Sequence, residues 1–180
     1  ADMVLDYVND VATGNVTPCF PCGLPFVDKL LNGGFQRGSY NVLAGLSKHG
    51  KTTLASSIVG GLAMRQDAVV HVHQCEVRHV AQAARIMCSI FGDDAFTEDA
   101  VLNPDRLYAN KPPAIQVAFD GKLKEACHWL KGSGIYIDPP GLIDIAHVER
   151  RARLMRDRHP DRPLVVFVDY IQRVSVENLR

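Results

Sequence analysis

The sequence predicts an α/β fold in which a mainly parallel sheet is flanked by helices, and three observations carry that prediction. Short Val- and Ile-rich runs alternate with longer segments of helical period, the pattern of a parallel sheet covered on both faces. Gly45-Leu46-Ser47-Lys48-His49-Gly50-Lys51-Thr52 fits G-x-x-x-x-G-K-[ST]. Leu164-Val165-Val166-Phe167-Val168 is an apolar run that ends in Asp169.

Taken in order, residues 1–14 form a short amphipathic helix, with Val4, Leu5, Val8, Val11 and Ala12 on one stripe and Gly14 as its stop. A loop rich in Pro, Cys and Gly follows over residues 17–25. Residues 40–44 are expected as the first strand of the sheet. A helix over 51–64 then places Leu54, Ile58 and Leu62 at helical spacing. Residues 68–73 read as a strand and 77–91 as a helix. The stretch 92–113 reads as loose, because Pro104, Pro112 and Pro113 interrupt any long element. A helix over 118–131, a strand over 134–138 and a helix over 143–158, ended by Pro160, complete the alternation. Residues 164–168 read as a fully buried strand.

Composition narrows the function classes. The chain has 180 residues, 20 Lys+Arg against 20 Asp+Glu, and is 47% hydrophobic. That fits one globular domain and argues against disorder. No apolar run approaches the roughly 18 residues of a membrane helix. Asp2 and Asp6 stand where a secretory leader would be basic, so none is expected. Balanced charge alone points to a small-molecule enzyme and away from nucleic acid or membrane. The Arg-rich segment Arg150, Arg151, Arg153, Arg156, Arg158 is interspersed with Glu149 and Asp157, and reads as a solvated helix face over a buried stripe of Ile143, Ala146 and Leu154.

Five cysteines, an odd number at irregular spacing, disfavour a disulfide framework and suit a reducing cytoplasm. Cys19 and Cys22 form a Cys-x-x-Cys pair, but a zinc site needs two more ligands and no second pair or His-x(3–5)-His follows. The pair is read as two small apolar residues in a Pro-rich loop. His71 and His73 alternate along one apolar run, so they point to one face of a strand and could ligate only from there.

The glycine-bounded motif has a direct chemical reading. Glycines allow a tight turn whose consecutive N–H groups, with the following helix N-terminus, face phosphate oxygens. The loop Gly45, Leu46, Ser47, Lys48, His49 and Gly50, with Lys51, Thr52 and Thr53, is therefore the candidate nucleotide site. Lys51 reaches the β- and γ-phosphates and the Thr52 hydroxyl ligates Mg²⁺. Chance occurrence of the motif in such a composition is roughly 0.3%. Asp169, at the C-terminal end of its strand, is the candidate second Mg²⁺ ligand, since open α/β sheets bind ligands at that end. Glu76 follows the 68–73 strand and is either a general base for water or an N-terminal helix acid complementing the dipole of 77–91.

These residues resemble a known family. Gly23-Leu24-Pro25-Phe26-Val27-Asp28-Lys29-Leu30-Leu31-Asn32-Gly33-Gly34-Phe35-Gln36-Arg37-Gly38 is similar to the segment leading into the core of DnaB-type replicative helicases. His73-Gln74-Cys75-Glu76-Val77 stands where that family has Ser-Leu-Glu-Met. Ile135-Tyr136-Ile137-Asp138-Pro139-Pro140-Gly141 resembles its strand and acidic-Pro-Gly turn, and Phe167-Val168-Asp169-Tyr170-Ile171-Gln172 resembles its Walker B run. The likeness spans residues 18–173, with a poorer match over 92–131.

The resemblance implies a RecA-like ATPase over residues 18–180, ending shortly after the Walker B strand, before the family's sensor strand, arginine finger and DNA-gripping loops. Residues 1–17 then correspond to a linker helix that docks on a neighbouring subunit, plus a lead-in loop. The implied cofactors are ATP and Mg²⁺, with Glu76 as catalytic base. The implied assembly is a ring, hexameric in this family, on single-stranded DNA, with a primase or helicase loader as partner. A cytoplasmic protein of bacterial, phage or plasmid origin is expected. The alternatives are a RecA/RadA- or KaiC-like ring ATPase without unwinding, or a nucleotide-binding assembly module with little turnover.

Overall fold

The computed structural model describes residues 2–15, 19–46, 48–75, 77–141, 143–169 and 174–175. The chain opens with α1 (Asp2–Ala12), which Gly14 ends in the left-handed region at φ +76°. Its apolar residues are not covered: Met3, Val4, Leu5 and Val8 are each more than half exposed. Strand β1 (Cys19–Phe20) and, after helix α2 (Pro25–Leu30), strand β2 (Phe35–Gln36) form a small antiparallel pair. Asp28 of α2 accepts from the amides of Cys22 (2.8 Å) and Gly23 (2.9 Å), which ties the loop to the helix.

Helix α3 (Lys51–Gln66) leads to strand β3 (Val69–Gln74), and α4 (His79–Phe91) follows. Three further helices come next, α5 (Glu98–Leu102), α6 (Pro104–Asn110) and α7 (Pro113–Gly132). The chain continues through β4 (Ile135–Ile137), β5 (Ile143–Asp144), α8 (Ile145–Arg158), β6 (Leu164–Asp169) and β7 (Val174–Ser175). Among the described residues the central sheet has the order β4-β3-β6, parallel throughout. Its register pairs Val70 with Ile135 and Val165, and Gln74 with Asp169. A second, two-residue parallel pair joins β5 to β7.

Alternation along β3 divides the molecule into two faces. Val70 and Val72 pack with Val59, Leu62 and Ala63 of α3, Ile86 of α4 and Cys22, while Ile135, Ile137, Val165 and Phe167 border the same core. His71 and His73 project to the opposite face, toward α8. Two adjacent glycines let α3 settle closely. A Cβ on Gly61 would lie 1.9 Å from the Cys22 carbonyl oxygen, and one on Gly60 would lie 3.0 Å from the Ile90 side chain. Glycine inside a helix costs roughly 0.5–1 kcal/mol relative to alanine; here the close approach accounts for it.

Four expectations need correction. Residues 92–113 are not loose: they hold α5 and α6, and α7 begins five residues earlier than its apolar pattern shows. The prolines start helices here, with Pro104 and Pro113 at first helical positions, where a missing N–H costs nothing. Thr97 caps α5 by accepting from the Ala100 amide at 3.3 Å. These helices enclose a second core of Met87, Phe96, Ala100, Leu107, Phe119 and Ala126.

Residues 40–44 form no strand; Tyr40 and Val42 are more than two-thirds exposed. A strand exists by pairing, and among the described residues none pairs with this segment. For the same reason β6 is only half-buried, with one neighbouring strand among the described residues and Val166 exposed. Finally, the apolar stripe of α8 is not the expected one. Met155 is its buried residue, and Leu154 is exposed. Arg151 turns inward to Asp138, while Arg153 stays outside and pairs with Glu149.

Candidate nucleotide-binding site

The site is assembled from the start of α3 and the ends of β3 and β6. The loop before α3 turns with Lys48 at φ +63° and Gly50 at φ +78°. Glycine adopts that conformation freely, whereas Lys48 holds a backbone state that costs a side-chain-bearing residue free energy. The first bond of the helix runs from the Leu54 amide to the Gly50 carbonyl at 2.9 Å. The amides of Lys51, Thr52 and Thr53 therefore have no acceptor inside α3 and face outward along its axis.

Lys51 Nζ donates to the carbonyls of Gly45 and Leu46, both at 2.8 Å. The ammonium is thereby held over the mouth of the loop. Thr52 Oγ1 donates to Asp169 Oδ2 at 3.3 Å, which brings together residues 117 positions apart. Two oxygens adjacent on an octahedral Mg²⁺ with bonds of about 2.0–2.1 Å lie about 3 Å apart. The hard oxygen donors and their spacing thus fit a magnesium ion.

The first turn of α3 is buttressed from α4. Ser56 Oγ donates to the Thr52 carbonyl at 2.7 Å, and Gln82 Nε2 donates to Ser56 Oγ at 3.1 Å. Ser56 and Gln82 are buried. Gln74 sits beside Asp169 in the parallel register and shares its face of the sheet. Its side-chain amide is buried with neither atom hydrogen-bonded among the described residues. No motif marks Ser56, Gln74 or Gln82 for this site. The available signal was a polar residue inside an apolar run.

Of the expected site residues, Gly45, Leu46, Lys48, His49 and Gly50 lie in the loop, and Lys51, Thr52 and Thr53 in the first turn of α3. Thr53 is exposed on that turn. Ser47 and Glu76 lie outside the described residues, as do Tyr170, Ile171 and Gln172. The Cys75 amide donates to the Asp169 carbonyl at 2.8 Å, so β3 and β6 stay tied at their C-terminal ends. Cys22 is a core residue, its thiol pushed up to about 11 mainly by burial, which keeps it protonated and unreactive. Cys22 is thus an apolar core residue; Cys19 is half-buried. No helix of the described residues is long and apolar enough to cross a membrane.

Comparison with known proteins gives the family and the fold. The replicative DNA helicase DnaC of Bacillus subtilis (strain 168) is 26% identical over 162 residues, covering 90% of this chain and 32% of that protein. The chain therefore spans about a third of the length of this relative. One solved structure of an ATPase domain superposes with a TM-score of 0.78 at 19% identity, over 99% of this chain and 60% of that one. A structure of a DnaB-like replicative helicase and its interactions with primase gives a TM-score of 0.75 at 18% identity, over 97% of this chain and 39% of that one. Both share the α/β fold described above. The DnaB-like helicase C terminal domain family matches residues 20–180, and this chain belongs to that family.

Proposed function

We propose that the chain is the ATP-hydrolysing motor of a replicative DNA helicase, acting in a ring that translocates on single-stranded DNA and unwinds duplex. The observation that carries the reading is the Thr52–Asp169 contact beneath a phosphate loop, within a chain of this family. A phosphate loop and an acid on an adjacent strand are the parts phosphoryl transfer requires.

In the proposed mechanism the loop amides from Gly45 to Thr53 bind the phosphate oxygens, and Lys51 leaves its two carbonyl partners for the β- and γ-phosphates. Thr52 and Asp169 would hold a Mg²⁺ ion, whose positive charge would offset the negative charge of the phosphate oxygens. Glu76 accepts the proton of the attacking water. Buttressing of Thr52 by Ser56 and Gln82 keeps its hydroxyl aimed at Asp169. The supporting chemistry is local, whereas the DNA and the partners follow from the family: single-stranded DNA in the ring, and a primase or loader on it. A cytoplasmic location agrees with this role.

The full-length protein is expected to hydrolyse ATP at a rate that rises severalfold with single-stranded DNA, and to separate a forked duplex. Hydrolysis indifferent to single-stranded DNA, with no strand separation, would overturn the helicase reading and favour a ring ATPase of another kind. The exposed stripe of α1, formed by Met3, Val4, Leu5 and Val8, supports a docking role for residues 1–17 on a neighbouring subunit. Deleting residues 1–13 should lower the oligomer mass measured by light scattering. An unchanged mass would return α1 to a helix with no part in assembly.

A further inference from the structure

On the face of the sheet opposite the phosphate loop, three histidines and one aspartate converge. His71 and His73 come from β3, Asp138 from the end of β4, and His147 from the first turns of α8. Asp138 Oδ1 lies 3.0 Å from His71 Nε2, and its Oδ2 lies 3.0 Å from both His73 Nδ1 and His147 Nε2. Ligating atoms of His71, His73 and Asp138 all fall within 4.8 Å of one another. The rings cluster as well, with centroids of His71 and His73 4.2 Å apart and those of His73 and His147 5.7 Å apart.

The internal bonding leaves this cluster incomplete. His71 and His73 are fully buried, at strand positions that alternate with core valines and would ordinarily be apolar. Among the described residues neither ring nitrogen of His73 makes a hydrogen bond, although its Nδ1 lies 3.0 Å from Asp138 Oδ2. His71 Nδ1 is likewise unpartnered among the described residues. Burying a polar group without a partner costs on the order of 1–3 kcal/mol. Two adjacent imidazoles therefore carry a cost that the protein around them does not offset.

Burial pushes the His73 imidazole down to about 4 and moves His71 in the same direction. Burial alone would raise Asp138, but the hydrogen bonds from His71 and His147 outweigh it and hold the carboxyl well below the usual range. Imidazole nitrogens and a carboxylate oxygen, grouped within 4.8 Å of one another, form a donor set suited to a borderline cation.

We propose that His71, His73, Asp138 and His147 form a binding site for a divalent transition-metal ion of the zinc class. A tetrahedral ion with bonds of about 2.0–2.1 Å places its ligand atoms about 3.3 Å apart, and each of the three histidines lies 3.0 Å from a carboxylate oxygen of Asp138. Asp138 serves as the central ligand. The Arg151 guanidinium, 3.0 Å from Asp138 Oδ1, is its outer partner and fixes the carboxylate orientation, as hydrogen-bond donors around metal carboxylates do. His147 closes the site; its side chain is 42% exposed, so an ion enters from the α8 side by a small movement of this ring. Bound there, the ion joins β3, β4 and α8 near the strand ends that also carry Gln74 and lead to Glu76. The site uses no residue of the nucleotide loop and stands apart from the helicase reading.

The test uses the full-length protein, stripped with chelator and titrated with Zn²⁺ against a chromophoric competitor, then with Co²⁺ for its visible spectrum. The expected result is a single saturable Zn²⁺ equivalent per chain, an intense tetrahedral Co²⁺ absorption, and a melting temperature that rises with Zn²⁺. His73→Phe, which keeps an aromatic ring in the core, should lose affinity by more than the roughly 10–100-fold that a missing outer partner costs. His147→Ala, at the exposed edge where folding is not at stake, should weaken binding at least about tenfold if the ring is a ligand. No saturable Zn²⁺ binding by the unmodified protein overturns the site, as does a weak octahedral Co²⁺ spectrum. Affinity unchanged in His147→Ala, alone or with His73→Phe, also overturns it and leaves a metal-free ion network around Asp138. Nucleotide binding, followed in the same samples, separates failure here from failure of the ATPase assignment.

Discussion

Lys51→Ala should lower ATP affinity on the order of 100-fold or more. In the proposed complex the ammonium spans two phosphates, and hydrogen bonds to charged groups contribute roughly 1.5–3 kcal/mol each, with about 1.4 kcal/mol per tenfold in affinity. The substitution removes a side chain whose contacts here are the carbonyls of Gly45 and Leu46 at the protein surface. The melting temperature should therefore be nearly unchanged, and the loss belongs to the ligand. Titration with a fluorescent ATP analogue measures it. Affinity within a few fold of the unmodified protein would remove Lys51 from the phosphate site.

Glu76→Gln should separate binding from turnover. Glutamine keeps the size of the side chain but cannot accept the water proton, and loss of a positioned general base costs roughly 10²–10⁴-fold in rate. Glu76 follows Cys75, whose amide is bonded to the Asp169 carbonyl, so it enters the chain directly after the point where β3 and β6 are tied together. The full-length variant should bind ATP with ordinary affinity and release phosphate at a rate reduced to that extent. The competing role, an acid complementing the dipole of α4, predicts the reverse: a stability loss of roughly 0.3–1 kcal/mol with turnover intact. Phosphate release together with a thermal melt distinguishes the two.

Local patterns made much of this molecule legible. The phosphate loop is contiguous, so Gly45 to Thr52 could be recognised from spacing alone. Asp169 could be paired with it because an apolar strand of a parallel sheet has few ways to deliver an acid to the sheet's C-terminal edge. Prolines misled: Pro104 and Pro113 read as interruptions, yet their fixed φ suits the first turn of a helix, and the sequence around them does not say which role applies. Residues 40–44 carry strand composition, but a strand also needs a neighbour, and pairing is a property of the fold. The Asp138 cluster was the least legible. His71 and His73 could be placed on one face, but their companions come from β4 and α8 at separations that no short motif encodes. Arg151 was hidden similarly within a run of arginines that otherwise read as a solvated face.

The contact between Gly61 and the Cys22 carbonyl has a mechanical meaning. Close-packed interiors are poorly compressible and pass strain onward. The helix whose first turn is the proposed phosphate site is seated, without an intervening side chain, on the loop that Asp28 pins to α2. A shift of α3 by a fraction of an ångström when phosphates arrive or leave has no soft layer in which to dissipate. It would pass directly to the loop around Cys22, so Gly61 acts as a stiff bearing between the proposed phosphate site and that loop.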